Sequence, residues 1–239
     1  MVVRVFESPE QVSTACAMLF ASQVISNPRA VLGLATGSSP IGTYQQLINW
    51  YNEDILDFSE ATSFNLDEYV GIPESNECSY HCFMQNQLFH GINLKASYLP
   101  DGNSKDMRGA CRNYDKAIKK AGGIDLQLLG IGRNGHIGFN EPSDAFSFGT
   151  QVVTLTPSTI DANRRFFDEH EEVPSMAISM GVGTIMASRR VVMIAMGDDK
   201  QDAVYGAVKG PVTPHLPASI LQMHQDCILL CDRKAAAQL

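Results

Sequence analysis

Short apolar runs rich in β-branched residues alternate along this chain with stretches whose apolar positions recur every three or four residues. The runs at 2–6, 30–35, 62–66, 126–131, 191–196 and 227–230 predict strands. The stretches at 9–26, 40–52, 107–121 and 200–208 predict helices. In the first, Val12, Ala15, Met18, Leu19 and Val24 mix three- and four-residue spacing. The second places Pro40 in its first turn, where proline is tolerated, followed by Tyr44, Leu47 and Ile48. Strand alternating with helix predicts an α/β fold: one domain over 1–239, with a doubly wound, mostly parallel sheet and helices on both faces, Rossmann-like. No repeat, low-complexity tract or linker divides it.

The segment 154–174 departs from the pattern. Pro157 is followed by Asp161, Arg164, Arg165, Asp168, Glu169, His170, Glu171 and Glu172. Two readings stand: a solvated helix and loop, or a mobile cover over a site.

Composition narrows the function. An apolar fraction of 44% with 18% charged residues fits a soluble globule. The formal net charge of −8 excludes a sequence-independent nucleic-acid binder, which needs a basic surface. It leaves room for a small anionic ligand, because a few local donors hold a phosphate. Six cysteines are scattered, with no Cys-x-x-Cys and no zinc spacing, so no metal site is expected. Cys227 and Cys231 share one face of a predicted strand and pack as small hydrophobes. Reduced thiols, a polar N-terminus and no apolar run near the roughly 18 residues of a membrane span point to the cytoplasm.

Candidate chemistry gathers where the predicted strands end. Open parallel sheets bind ligands outside the carboxyl ends of their strands. After 30–35 comes Thr36-Gly37-Ser38-Ser39-Pro40, leading into a helix. After 62–66 come Asp67 and Glu68. After 126–131 comes a glycine-rich bend with Gly132, Asn134, Gly135, His136, Gly138 and Glu141. After 191–196 comes Gly197-Asp198-Asp199-Lys200. Thr36, Gly37, Ser38 and Ser39 offer backbone amides and hydroxyls at a helix start, the parts of a phosphate cradle, or else an ordinary serine cap. Lys200 is either a charge for that phosphate or a surface lysine. Asp67 and Glu68 are either a proton-transfer site or a capping box or turn. His136 is a proton-transfer residue type, and Glu141 follows it five residues later; alone they also fit a satisfied loop histidine and a surface glutamate. Together, an anion cradle, a carboxylate base and a His-Glu pair suggest proton movement on a phosphorylated sugar.

At these residues the chain resembles the glucosamine-6-phosphate deaminase family. The matching stretches are Leu-Gly-Leu-Ala-Thr-Gly-Ser-Ser-Pro at 32–40, Phe-Asn-Leu-Asp-Glu-Tyr-Val-Gly at 64–71 and Gly-Ile-Gly-Arg-Asn-Gly-His-Ile-Gly-Phe-Asn-Glu-Pro at 130–142. Asn163-Arg164-Arg165-Phe166-Phe167 and the stretch 179–185 also match, so the likeness runs nearly end to end. Related 6-phosphogluconolactonases share the fold but lack the Phe-Asn-Glu-Pro continuation.

The resemblance implies conversion of glucosamine 6-phosphate and water to fructose 6-phosphate and ammonium, without metal or organic cofactor. It implies that Asp67 moves the C2 proton to C1, His136 opens the pyranose ring and Glu141 tunes the imidazole. Asn134 stands where hexameric members have an aspartate, so a full Asp-His-Glu relay is not available. The resemblance further implies that Ser38, Ser39, Arg165 and Lys200 bind phosphate, that Gly135 lines the sugar, and that the stretch around 154–174 is a lid. Hexameric members carry basic effector-binding residues where this chain has Gly149, Gln151 and Val153, and they have a longer tail. The expectation is an unregulated monomer or small homo-oligomer acting on a small-molecule sugar phosphate, with no nucleic-acid or membrane partner. Galactosamine 6-phosphate as substrate, a sugar-phosphate lactonase and a non-catalytic sugar-phosphate sensor are the rival readings.

Overall fold

The computed structural model describes residues 1–167 and 171–239; Asp168, Glu169 and His170, within the expected lid, lie outside the described residues. In chain order the elements are β1 (Val2–Phe6), α1 (Pro9–Ser26), β2 (Val31–Leu34), α2 (Ile41–Asn52), β3 (Thr62–Asn65), β4 (Asp67–Tyr69) and α3 (Tyr80–Gln87). There follow β5 (Ala96–Tyr98), α4 (Met107–Lys120), β6 (Leu126–Leu129), β7 (Gln151–Thr154), α5 (Pro157–Asn163) and β8 (Met176–Ser179). The chain finishes with α6 (Val182–Met186), β9 (Arg190–Ala195), α7 (Gln201–Lys209) and β10 (Cys227–Asp232).

Seven strands form a parallel sheet in the order β1-β10-β9-β6-β2-β3-β5. The centre is buried on both sides: every residue of β2 and β6 is buried, and so is every residue of β9 after Arg190. That burial explains why these strands read as continuous apolar runs rather than alternating ones. Val12, Cys16 and Phe20 of α1 and Tyr44 and Leu47 of α2 join the main core. Cys227 and Cys231 are buried there as free thiols.

A second sheet was not expected. β4, β8 and β7 pair antiparallel, with Asp67 opposite Ser179 and Glu68 opposite Ile178. Leu66 is the joint between the sheets. Its amide donates to the Leu34 carbonyl of the parallel sheet, and its carbonyl accepts from Met180 beyond β8. Asp67 and Glu68 therefore lie in neither a turn nor a capping box. The small sheet has its own core of Tyr69, Phe139, Leu155, Phe167 and Ala177. Leu155 and Phe167 belong to the 154–174 segment, so its described part is anchored by buried side chains rather than wholly solvated.

Candidate active site

The four strand ends singled out by sequence open on one cavity of about 500 Å³. Thr36 to Ser39, Asp67, Asn134, His136, Arg165 and Lys200 all line it. The volume falls within the range of small-molecule sites, about 300–1,000 Å³.

The cradle after β2 is not a serine cap. Pro40 occupies the cap position of α2, and no side chain caps that helix. The Ser38 and Ser39 side chains are thus not spent on the helix end. Arg165, in the 3-10 turn after α5, reaches across the cavity to donate to Ser38 Oγ at 3.3 Å. Lys200 enters from the 3-10 turn Asp198–Lys200, not from the α-helix that follows, and only 19% of its side chain is exposed. Asp199 links two cations: its Oδ2 lies 2.8 Å from Arg133 Nε and 3.7 Å from Lys200 Nζ. Burial lowers the Lys200 pKa; Asp199 opposes the shift, while Arg133 and Arg165 add to it. Three cations with one carboxylate among them make a seat for a dianion.

Asp67 is buried, and desolvation pushes its carboxyl up to about 8, with the neighbouring Glu68 charge adding to the effect and the Phe139 amide opposing it. A carboxylate of this affinity is a competent base near neutral pH. Ser179, its partner across the small sheet, accepts from the Phe139 amide at 3.0 Å and so fixes the far end of the glycine-rich bend beside it.

His136 Nδ1 faces Glu141 Oε2 at 3.5 Å. Glu141 is no surface residue, its side chain being 10% exposed. Asn134 Nδ2 donates to the same Oε2 at 2.7 Å, and its Oδ1 accepts from the His136 amide at 3.2 Å. Asn134 therefore supports the pair as a donor to the carboxylate rather than as a third charge. The hydroxyl of Thr159 donates to Glu141 Oε1. Burial opposes ionisation of Glu141, but His136, Thr159 and Asn134 together outweigh it and hold the carboxyl below its ordinary value. Gly132 makes room for the imidazole: a Cβ there would fall 2.4 Å from the ring.

Two expected residues sit elsewhere. Glu141 stands behind His136 rather than among the cavity-lining residues. Gly135 does not line the cavity either. Its amide donates to Gly132, its carbonyl accepts from Ala218, and a side chain there would meet Leu216. Its φ of +82° explains the glycine by backbone conformation instead. Conversely, Tyr80, Arg133, Thr159, Asn163 and Asp199 line the cavity without having been singled out as ligands. Arg133, Asn163 and Asp199 lie inside stretches already noted, and Thr159 lies within the 154–174 segment; Tyr80 carried no comparable local signal. Among the described residues no cluster of three or more His, Cys, Asp or Glu could hold a metal ion.

An open parallel sheet whose strand ends gather three cations, a buried carboxylate and a His-Glu pair at one cavity marks a small-molecule α/β protein. Residues 7–230 match the glucosamine-6-phosphate isomerase/6-phosphogluconolactonase family, and the chain belongs to it. It is 54% identical to a glucosamine-6-phosphate deaminase of Lachnoclostridium phytofermentans, covering 94% of this chain and 96% of that one. It is 48% identical to a glucosamine-6-phosphate deaminase of Clostridioides difficile over all of this chain and 97% of the relative. A solved structure described as a monomeric glucosamine-6-phosphate deaminase superposes with a TM-score of 0.96 at 40% identity, covering both chains completely.

Proposed function

We propose that this protein is a glucosamine-6-phosphate deaminase of amino-sugar catabolism, which isomerises and deaminates its substrate to fructose 6-phosphate and ammonium. The carrying observation is that the buried Asp67 carboxylate and the Glu141-backed His136 border the same cavity as the cations Arg133, Arg165 and Lys200. The names of the full-length relatives support the same reading.

In this mechanism Ser38, Ser39, Arg165 and Lys200 hold the C6 phosphate. His136, its Nδ1 turned to Glu141, uses Nε2 to move the proton from the C1 hydroxyl to the ring oxygen, and the pyranose opens to the aldehyde. Asp67 takes the C2 proton, giving an enolamine, and returns it to C1, giving a ketimine. Water adds at C2 and ammonium leaves, so each molecule of substrate consumes one water. The raised Asp67 affinity suits a group that must both take and return a proton. A sensor needs no such pair of proton-transfer centres. We further propose that the enzyme is a cytoplasmic monomer, a reading supported by the similarity to a structure described as monomeric and by the buried free thiols of Cys16, Cys111, Cys227 and Cys231. No helix among the described residues is long and apolar enough to cross a membrane.

The test is a coupled assay for ammonia and fructose 6-phosphate with glucosamine 6-phosphate and, in parallel, galactosamine 6-phosphate. Release of both products from the gluco sugar is expected. No ammonia from either sugar would sink the assignment, and turnover confined to the galacto sugar would transfer it.

A further inference from the structure

The short segment that carries Arg165 touches both the phosphate cradle and the Glu141–His136 pair. In the first contact Arg165 bonds Ser38 in the phosphate cradle. In the second the buried Thr159 donates its hydroxyl to Glu141 Oε1, the oxygen not facing His136. The Thr159 oxygen itself accepts from the Thr156 hydroxyl at 3.1 Å, so its single proton is directed at the glutamate. Between the two contacts Asn163 Nδ2 donates to Tyr69 OH at 2.9 Å and pins the segment to β4. The seven residues from Thr159 to Arg165, in a helix and a 3-10 turn, thus join the phosphate seat to the proton-transfer pair.

We propose that Thr159 is a positioning residue that ties capture of the substrate's phosphate to the state of the Glu141–His136 pair. The inference rests on the deaminase reading for its substrate but not for its geometry. When the phosphate draws Arg165 down, α5 moves with it, and Thr159 sets which way the glutamate presents its second oxygen to His136. Unphosphorylated sugar leaves α5 unseated and the pair untuned, so ring opening waits for the phosphate. Other ionisable groups round the cavity are Asp67, Tyr80, Asp161, Arg133, Asp199 and Lys200, with Arg165 on the moving segment. Of the described groups, His136 is the one at ion-pair distance from Glu141.

The test uses the full chain and inorganic phosphate as probe. The His136 ring resonances, assigned with His136→Gln, are followed by NMR as phosphate is added. Thr159→Val removes the hydroxyl at nearly constant shape; Thr159→Ser keeps it; Thr159→Ala repeats the comparison if the valine variant does not fold. The expected result is a phosphate response of His136 in wild type and Thr159→Ser that is largely lost in Thr159→Val, while phosphate still binds. With substrate, kcat falls about tenfold or more in Thr159→Val and KM changes little, the scale of one lost hydrogen bond to a charged group. Its acid limb moves to higher pH, because a lost donor no longer favours the carboxylate. Wild-type behaviour of Thr159→Val in both readouts, or a wild type whose His136 ignores phosphate, overturns the proposal. A wild type that releases no ammonia sinks the deaminase reading instead and leaves the phosphate response to judge Thr159.

Discussion

The carboxylates of Asp67 and Glu68 leave adjacent residues of β4 for different surroundings. Asp67 lines the cavity, whereas Glu68 accepts amide hydrogens from Tyr69, Tyr80 and His81 at 2.8, 3.0 and 2.8 Å. The pleat of a strand sends successive side chains to opposite faces, so one short element supplies a cavity-lining carboxylate and an anchor to the start of α3. That anchor brings Tyr80 to the cavity wall.

Asp67→Asn removes the base without changing shape. Turnover is expected to fall by roughly 100-fold or more, with substrate affinity little changed. Single-turnover kinetics with a C2-deuterated substrate checks which step is lost. Near-normal turnover would assign the base elsewhere.

The same substitution has a signed effect on stability. The folded Asp67 binds its proton up to about pH 8, far above the ordinary value of 3.8. Between those values the native state holds more protons than the unfolded chain, so this group's contribution declines as pH rises. Asp67→Asn should therefore be more stable than wild type at pH 8, by about 1 kcal/mol or more, with the gap closing towards pH 4. Urea midpoints at pH 4.5, 6 and 8 measure it; a gap that widens on acidification contradicts the sign.

Glu68→Ala leaves the three amides without their acceptor. A loss of about 2–4 kcal/mol in unfolding free energy is expected, since each orphaned buried donor costs more than a bond gains. Chemical denaturation reads this directly, and an unchanged midpoint would mean that water replaces the carboxylate.

Gly132→Ala places a methyl group against the His136 ring. The imidazole must swing from Glu141, and turnover should fall by about 100-fold, the scale of a misplaced catalytic group. Phosphate affinity and the circular-dichroism spectrum should stay as they are. Wild-type turnover would show that the ring can move without consequence.

Lys200→Ala removes a largely buried charge from the dianion seat. Affinities for the sugar phosphate and for inorganic phosphate should weaken alike, by about 1.5–3 kcal/mol. Isothermal titration with both ligands checks it, and survival of both affinities would return Lys200 to the role of a surface lysine.

Much of this architecture was legible before the fold. The central strands are buried on both faces, so their residues are apolar without interruption and announce themselves locally. The glycine-rich bend and the two turns entering helices were visible for a related reason: tight backbone and clustered polar groups are unusual just after an apolar run. The small sheet was not legible. β4 has three residues and β7 and β8 four each, too few for a period of two to stand out, and β4 finds its partner more than a hundred residues away.

The sequence by itself determined the order of the main strands and helices, the candidate proton-transfer groups and the end of the sheet at which they gather. It could do so because hydrophobic periodicity and turn chemistry are properties of neighbouring residues. Only the tertiary structure decided which side of β4 faces the cavity and which is an anchor, that Gly135 turns towards Leu216 rather than the cavity, and that Thr159 reaches Glu141. Those outcomes depend on burial and on contacts between distant segments, where a carboxylate's affinity for its proton is set by how much water the surrounding fold removes.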